Sequence, residues 1–267
     1  MTHEALSGAP ISGRHYSPQH VEQVSPPRMI TRMHMTPGEA FSSFYRELRS
    51  YPVRGSKLHS HPVFRSGEGT HQGVGRTAIL GGGLAAPDFS LSSMSYWLNM
   101  RDYRVVVLPS PNVESPEERA EMISKAVEKE RRESDEIIYI GDSKAGFEIY
   151  LVTEGIDTII TLGSPTNFPI ELHPFVYEFY SFVRAGKSDE SVVRKVLTNG
   201  YSRALSEVRI VSIIGEDDEI VHGCGNWSGL ATVKYIVPAK HMNITEIPQT
   251  YQVIDQELAP NDGAKAA

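Results

Sequence analysis

Six short, predominantly apolar runs recur after residue 76, and stretches with apolar residues at helical spacing separate them. The runs cover residues 77–80, 105–108, 137–140, 158–162, 208–214 and 233–237. Continuous apolar, β-branched segments are typical of strands in a parallel sheet that is buried on both faces. The alternation therefore predicts the α/β fold class, with a doubly wound, mostly parallel sheet flanked by helices.

The first 70 residues follow a different pattern. Residues 1–28 are rich in Pro, Ser, Gly and His, and this composition does not repay the entropy of ordering. Thr36-Pro37-Gly38-Glu39 is a capping-box pattern that predicts a short helix at about residues 37–49. We expect a flexible tail over residues 1–70 that carries this helix, followed by one domain over residues 71–267.

A serine stands at the junction of the third apolar run and a predicted helix. The run 137–140 ends at Gly141, and a sharp turn places Ser143 at its apex, with the small residues Gly141 and Ala145 on either side. The segment from Gly141 to Gly146 resembles the nucleophile elbow of the α/β-hydrolase family, in its bacterial lipase and esterase branch. Ala145 replaces the glycine that is commoner in that family.

The resemblance implies an α/β-hydrolase fold with Ser143 as the nucleophile, followed along the chain by an acid and then a histidine. After the run 208–214 come four acidic residues and Ile220-Val221. Family lipases are similar in having an aspartate two residues before such an apolar pair. This favours Asp218 as the acid, with Asp217 as the main alternative and Glu216 and Glu219 as weaker alternatives.

The family keeps its base between the last strand and the last helix. The corresponding loop, residues 238–244, contains His241, and a helix predicted from Ile247, Tyr251, Ile254 and Leu258 follows it. His222 is the competing histidine, although it would share the loop of the acid. The resemblance therefore favours His241.

An oxyanion hole of two backbone N–H groups is also implied by the resemblance. One donor is the amide of Lys144, and the other comes from the Gly81–Leu84 loop after the first core strand, where Gly83 is favoured and Leu84 is second. This loop also fits the dinucleotide pattern G-x-G-x-x-A. Pro87 falls where a phosphate-binding helix should run, so no cofactor is expected.

The alternation lapses between residues 165 and 205, where aromatic residues cluster: Phe168, Phe175, Tyr177, Phe179, Tyr180 and Phe182. The family resemblance implies a small helical insertion, or lid, after the strand that follows the nucleophile helix. These aromatic side chains are predicted either to form an apolar acyl pocket or lid, or to pack the insertion onto the core.

Charge and composition narrow the remaining classes of function. The 267 residues carry a net charge of −7 with acidic and basic residues interspersed, which disfavours a nucleic-acid partner. The single cysteine, Cys224, excludes an intramolecular disulfide and is taken as a loop residue. His59 and His61 lack an acidic or cysteine partner at metal-ligand spacing, so no metal is expected.

The N-terminus lacks the features of a signal peptide, and no apolar run approaches the roughly 20 residues of a membrane span. We therefore expect a cytoplasmic protein without stable membrane insertion. The resemblance implies a serine hydrolase that cleaves a small acyl-ester or lipid-like substrate through an acyl-enzyme. A thioesterase or acyltransferase with the same triad, or a catalytically silent binding protein, are the alternatives, and the oligomeric state stays open.

Overall fold

The computed structural model describes residues 14–15, 30–66, 71–84, 86, 88–109, 116–152, 154–165, 170–183, 208–222 and 233–259. Its strands are β1 (Arg14–His15), β2 (Ile30–Arg32), β3 (Arg76–Gly81), β4 (Arg104–Leu108), β5 (Glu136–Asp142), β6 (Thr158–Leu162), β7 (Ile170–Leu172), β8 (Arg209–Gly215), β9 (Val221–His222) and β10 (Val233–Val237). Its α-helices are α1 (Pro37–Ser60), α2 (Pro62–Arg65), α3 (Ser92–Asn99), α4 (Pro116–Glu130), α5 (Lys144–Glu148), α6 (Pro174–Val183) and α7 (Pro248–Leu258).

The main sheet has the strand order β1-β10-β8-β6-β5-β3-β4. All neighbouring strands from β10 to β4 pair in parallel, and only the short β1 pairs antiparallel, on β10. Each of the six apolar runs lies in one of the parallel strands. The predicted doubly wound, mostly parallel sheet is therefore confirmed.

The central strands of the sheet are buried on both faces, as the predominantly apolar runs predict. Along β5, Ile138 and Ile140 belong to one hydrophobic cluster, while Ile137 and Tyr139 belong to the other. Successive side chains of a strand point to opposite faces, so separate helices must pack on each face of the sheet. Residues of α3 and α7 join the first cluster, and residues of α4 join the second.

Helix α1 begins with the predicted capping box. The Thr36 N–H donates to Oε2 of Glu39 at 2.8 Å, and the Glu39 N–H donates to Oγ1 of Thr36 at 3.3 Å. The helix continues to Ser60, beyond the predicted end near residue 49. Leu58, near its far end, is buried in the same cluster as the α3 and α7 residues, and this burial anchors the last turns.

A second, smaller sheet has the order β2-β7-β9 and was not predicted. Strand β2 pairs in parallel with β7, and β7 pairs antiparallel with β9. The sheet thus joins the segment before α1 to the segments that follow β6 and β8. The predicted division at residue 70 and the movement of residues 165–205 as a lid stay predictions.

Within the described ranges, no helix is both long and apolar enough to cross a membrane.

Candidate active site

Ser143 lies in the turn between β5 and α5, at the carboxyl end of a central strand. Its backbone has φ 50° and ψ −117°, a region that residues other than glycine rarely occupy. Such a conformation costs on the order of 1 to 3 kcal/mol and is found where surrounding structure enforces it, most often at functional sites. The structure contains the predicted sharp turn, with Ser143 at its apex.

Close packing of strand and helix explains the glycines around this turn. A methyl group added at Gly141 would lie 2.6 Å from Cα of Gly146, and one at Gly146 would lie 2.7 Å from the carbonyl oxygen of Gly141. Ala145 is accommodated because Gly81 faces it, where an added methyl group would lie 2.9 Å from Cβ of Ala145. The backbone approach that requires glycine therefore falls on Gly146, one residue beyond the family's usual position.

The structure brings the three predicted catalytic side chains together. His241 opens the 3-10 helix His241–Glu246 after β10, and its Nε2 lies 2.9 Å from Oγ of Ser143. Its Nδ1 lies 2.8 Å from Oδ2 of Asp218, in the loop after β8. The side chains of His241 and Asp218 are only 9% and 3% exposed. The three groups form an unbroken chain of hydrogen bonds, and its His241–Asp218 part is shielded from water.

Asp218 is itself held in one orientation. Its Oδ1 accepts hydrogen bonds from the backbone N–H groups of Ile220 and Val221, both at 2.9 Å. This leaves Oδ2 for His241.

The alternatives left open by the sequence lie elsewhere. Glu216 and Asp217 are exposed, and Glu219 pairs with Arg46 at 3.0 Å. His222 belongs to β9 and pairs through its backbone with Glu171. His61 caps α2, where its Nδ1 accepts from the Val63 N–H at 3.2 Å. Cys224 lies outside the described residues.

The loop after β3 approaches Ser143 closely. A methyl group at Gly83 would lie 3.1 Å from Cβ of Ser143 and 3.2 Å from Oδ2 of Asp142. The Gly83 N–H donates to the Asp142 carboxylate, whose pKa burial raises to about 6. Lys144 is the first residue of α5, and the first N–H groups of a helix have no acceptor within the helix.

An apolar pocket opens beside Ser143. Its described lining residues are Leu84, Ser143, Lys144, Phe147, Pro165, Ile170, Leu172, Val176, Ile220 and Val221. Among the predicted aromatic residues, Phe175 and Phe179 are each 42% exposed, and Phe168 lies outside the described residues. The described apolar walls come mainly from aliphatic side chains of the second sheet and α6.

The sequence did not point to one buried acid next to the three predicted catalytic residues. Glu47 of α1 is fully buried, and it accepts backbone N–H groups from Glu219 at 3.0 Å and Met242 at 3.2 Å. The one trace in the sequence is the helical spacing of Ala40, Ser43 and Glu47, and the structure buries all three. The sequence placed this helix in a flexible tail, so the acid was not considered.

The surroundings of His241 favour its charged form. Burial lowers the pKa of the imidazole. The carboxylate of Asp218 and, with smaller effects, those of Asp142 and Glu47 outweigh burial and raise the pKa to about 9. Three carboxylates from three different elements thus act on one imidazole. They stabilise the imidazolium that would form when His241 takes a proton from Ser143.

This pKa sets an expected pH dependence. Only the neutral imidazole accepts the Ser143 proton, so kcat/KM falls as the pH drops through the pKa of His241. We expect this acid limb to be displaced from 6.5, the ordinary value for histidine, towards 9. Hydrolysis of a soluble ester, followed from about pH 5 to about pH 10, measures the limb.

The control for this prediction is Asp142→Asn, which removes one of the carboxylates that raise the pKa of His241. We expect its acid limb at lower pH than that of the wild type. A wild-type limb at or below 6.5 would contradict the electrostatics described for this site.

No protein-family model matches the chain, and no curated protein matches its sequence. Solved structures do match. One, from work on the metagenome-derived lipolytic enzymes LipS and LipT, is 12% identical, with 68% of this chain and 91% of that chain covered and a TM-score of 0.49. The esterase domain of a Rhodothermus marinus protein is 12% identical, with 68% of this chain and 85% of that chain covered and a TM-score of 0.47.

Est1E from Butyrivibrio proteoclasticus is 12% identical, with 68% of this chain and 88% of that chain covered and a TM-score of 0.46. At these identities the roles of individual residues rest on the geometry of this chain. The parallel strand order β10-β8-β6-β5-β3-β4 and the strained serine between β5 and α5 are features of its own coordinates. These features show the doubly wound, mostly parallel α/β fold, and the solved structures to which the chain is similar are lipolytic enzymes and esterases.

Proposed function

We propose that this protein is a serine hydrolase that cleaves carboxylic esters through an acyl-enzyme intermediate. The observation that carries the proposal is the hydrogen-bonded relay of Ser143, His241 and Asp218, with 2.9 Å from Oγ to Nε2 and 2.8 Å from Nδ1 to Oδ2. A serine hydroxyl is a weak nucleophile until a base accepts its proton, and this arrangement supplies the base and the acid that orients it.

In the first half of the reaction, Oγ of Ser143 attacks the carbonyl carbon of the ester while its proton passes to Nε2 of His241. The tetrahedral intermediate collapses, the alkoxide leaves, and His241 returns the proton to it as the alcohol departs. In the second half, a water molecule takes the place of the alcohol. His241 accepts a proton from this water as it attacks the acyl group. When the second tetrahedral intermediate collapses, the bond from the acyl carbon to Oγ breaks and His241 returns the proton to Oγ, which releases the acid and free Ser143.

The negative charge on the carbonyl oxygen requires backbone donors beside Ser143. We assign one donor to the amide of Lys144, at the start of α5. The second comes from the predicted loop of Gly83 and Leu84. Leu84 is favoured, because the Gly83 N–H already donates to Asp142 and Leu84 lines the pocket with Ser143.

The apolar pocket beside Ser143 suits the acyl part of a small ester or lipid-like substrate. Its described walls include Phe147, Leu172 and Val176 and bring no carboxylate to the reacting carbon. Thioester hydrolysis and acyl transfer would use the same relay, differing in the group that leaves or attacks. A cytoplasmic location stays a prediction.

A fluorophosphonate probe tests the proposal directly. Oγ of an activated serine attacks phosphorus, a P–O bond forms, and fluoride leaves, so the protein gains the mass of the phosphonyl group. We expect stoichiometric labelling of the wild type, located by peptide mass spectrometry on Ser143. A panel of esters and thioesters of increasing acyl length then identifies the preferred substrate class.

The same experiment distinguishes an enzyme from a binding protein of the same fold. Labelling that persists in Ser143→Ala would place the nucleophile elsewhere. A folded wild-type protein that is not labelled, and hydrolyses no member of the ester and thioester panel, would favour the catalytically silent alternative.

A further inference from the structure

We propose that Glu47 of α1 is a positioning residue that holds the acid loop and the base loop of the active site in register with each other. The inference deepens the proposed hydrolase function and rests on it. Glu47 lies before the first core strand and far from the elbow in sequence, and nothing in the nucleophile motif points to it.

The geometry consists of one carboxylate shared by two loops. Oε1 of Glu47 accepts the N–H of Glu219, the residue after Asp218, at 3.0 Å. Oε2 accepts the N–H of Met242, the residue after His241, at 3.2 Å. Each oxygen therefore holds the backbone directly next to one member of the relay. A single carboxylate thus bridges the two loops beside the relay, in addition to the direct hydrogen bond from the Asp217 N–H to the carbonyl oxygen of Ala239 at 3.1 Å.

Burial makes these two hydrogen bonds consequential. Glu47 is 0% exposed, and burial raises the pKa of its carboxyl group while the N–H groups of Glu219 and Met242 lower it. A charged group in the interior carries a large desolvation cost, which its hydrogen bonds offset. Removal of the carboxylate would leave the two N–H groups without their acceptor, and this is costly as well. The site thus contains a third acid whose position is as constrained as that of Asp218.

The charge of Glu47 also acts on the base. His241 is faced by Asp218, Asp142 and Glu47, and all three carboxylates favour the protonated imidazole. The carboxylate of Glu219 is engaged on the outside of the same loop by Arg46 at 3.0 Å and Lys240 at 3.5 Å. Glu47 consequently has two separable effects, on the geometry of the relay and on the pKa of His241.

The variants Glu47→Gln and Glu47→Asp separate these effects. Glutamine offers one oxygen and one NH2 group, so it keeps one of the two backbone contacts and loses the charge. We expect its rate of fluorophosphonate labelling and its kcat/KM to fall about tenfold to a hundredfold, since displacing a catalytic group by about 1 Å costs up to that much. Its acid limb should move to lower pH. Aspartate keeps the charge but is one methylene shorter, so its rate should fall while its acid limb stays at the wild-type pH.

Thr36→Ala is the matched control, since it removes the N-cap of the same helix without touching either loop. We expect a lower melting temperature for Thr36→Ala with an unchanged acid limb and nearly unchanged labelling. If Glu47→Gln does not fold, Glu47→Asp decides, and a wild-type rate in that variant would overturn the proposal.

A folded Glu47→Gln with the wild-type labelling rate and acid limb would overturn the role of Glu47 alone. A wild type that is not labelled would overturn the proposed function and the role of Glu47 together. A loss in Glu47→Gln with no shift of the acid limb, matched by the same loss in Thr36→Ala, would show that α1 acts only through stability and would also overturn it.

Discussion

Replacement of Ser143 by alanine is expected to lower kcat for ester hydrolysis by about 10⁴- to 10⁶-fold, which corresponds to about 5 to 8 kcal/mol of transition-state stabilisation. Alanine removes the atom that attacks the carbonyl carbon and leaves His241 with no hydroxyl at 2.9 Å. The remaining donors and the pocket still bind the substrate, so a residual rate above that in water is expected. Stopped or continuous assay of a chromogenic ester measures the loss.

Ser134→Ala serves as the comparison for this variant. Ser134 contacts Thr77 at 2.5 Å at the amino end of the sheet, far from the carboxyl ends where the relay lies. We expect activity within about twofold of the wild type for Ser134→Ala. Equal losses in both variants would mean that the effect of Ser143→Ala arises from folding and that Ser143 is not the nucleophile.

Asp218→Asn is expected to lower kcat by about 10⁴-fold through a change of tautomer in His241. The oxygen of the new amide is held by the two N–H groups of Ile220 and Val221, which donate at 2.9 Å to the position of Oδ1. The NH2 group then faces Nδ1 of His241 and donates to it. The imidazole proton must therefore reside on Nε2, which can no longer accept the proton of Ser143.

Asp217→Asn is the discriminating control, because the sequence left both aspartates open as the acid. Asp217 is exposed, and its backbone N–H donates to the carbonyl oxygen of Ala239 at 3.1 Å. We expect activity within about twofold of the wild type and a wild-type melting temperature. A large loss in Asp217→Asn together with a small loss in Asp218→Asn would reverse the assignment of the acid.

The sheet could be predicted because its strands are buried on both faces. A strand such as β5 must then be apolar at every position from Ile137 to Ile140, and such runs are typical of parallel sheets. The proposed catalytic residues followed from the family resemblance, which gives their order behind these strands, and the carboxyl ends of parallel strands meet at one edge of the sheet. Proximity in space was therefore inferred without any contact being visible in the sequence.

The small sheet and the contacts of Glu47 could not be predicted in the same way. Strand β2 is three residues long, and its pairing with β7 depends on backbone groups that every residue possesses. Glu47 likewise binds N–H groups, which carry no trace in the side-chain sequence of Glu219 or Met242. The hydrogen bond from the Gly83 N–H to the Asp142 carboxylate likewise leaves no trace in the sequence. Because of this bond, Leu84 rather than Gly83 is favoured as the second oxyanion donor.

The carboxylate of Glu47 also bears on when the active site forms during synthesis. It contacts partners 172 and 195 positions later in the chain, whereas Ser143 and His241 are 98 positions apart. Contacts of such long range form late, because the chain between them must be closed into a loop first. We therefore expect nascent chains on the ribosome to fold α1 and the elbow early and to stay inert until residue 242 has emerged.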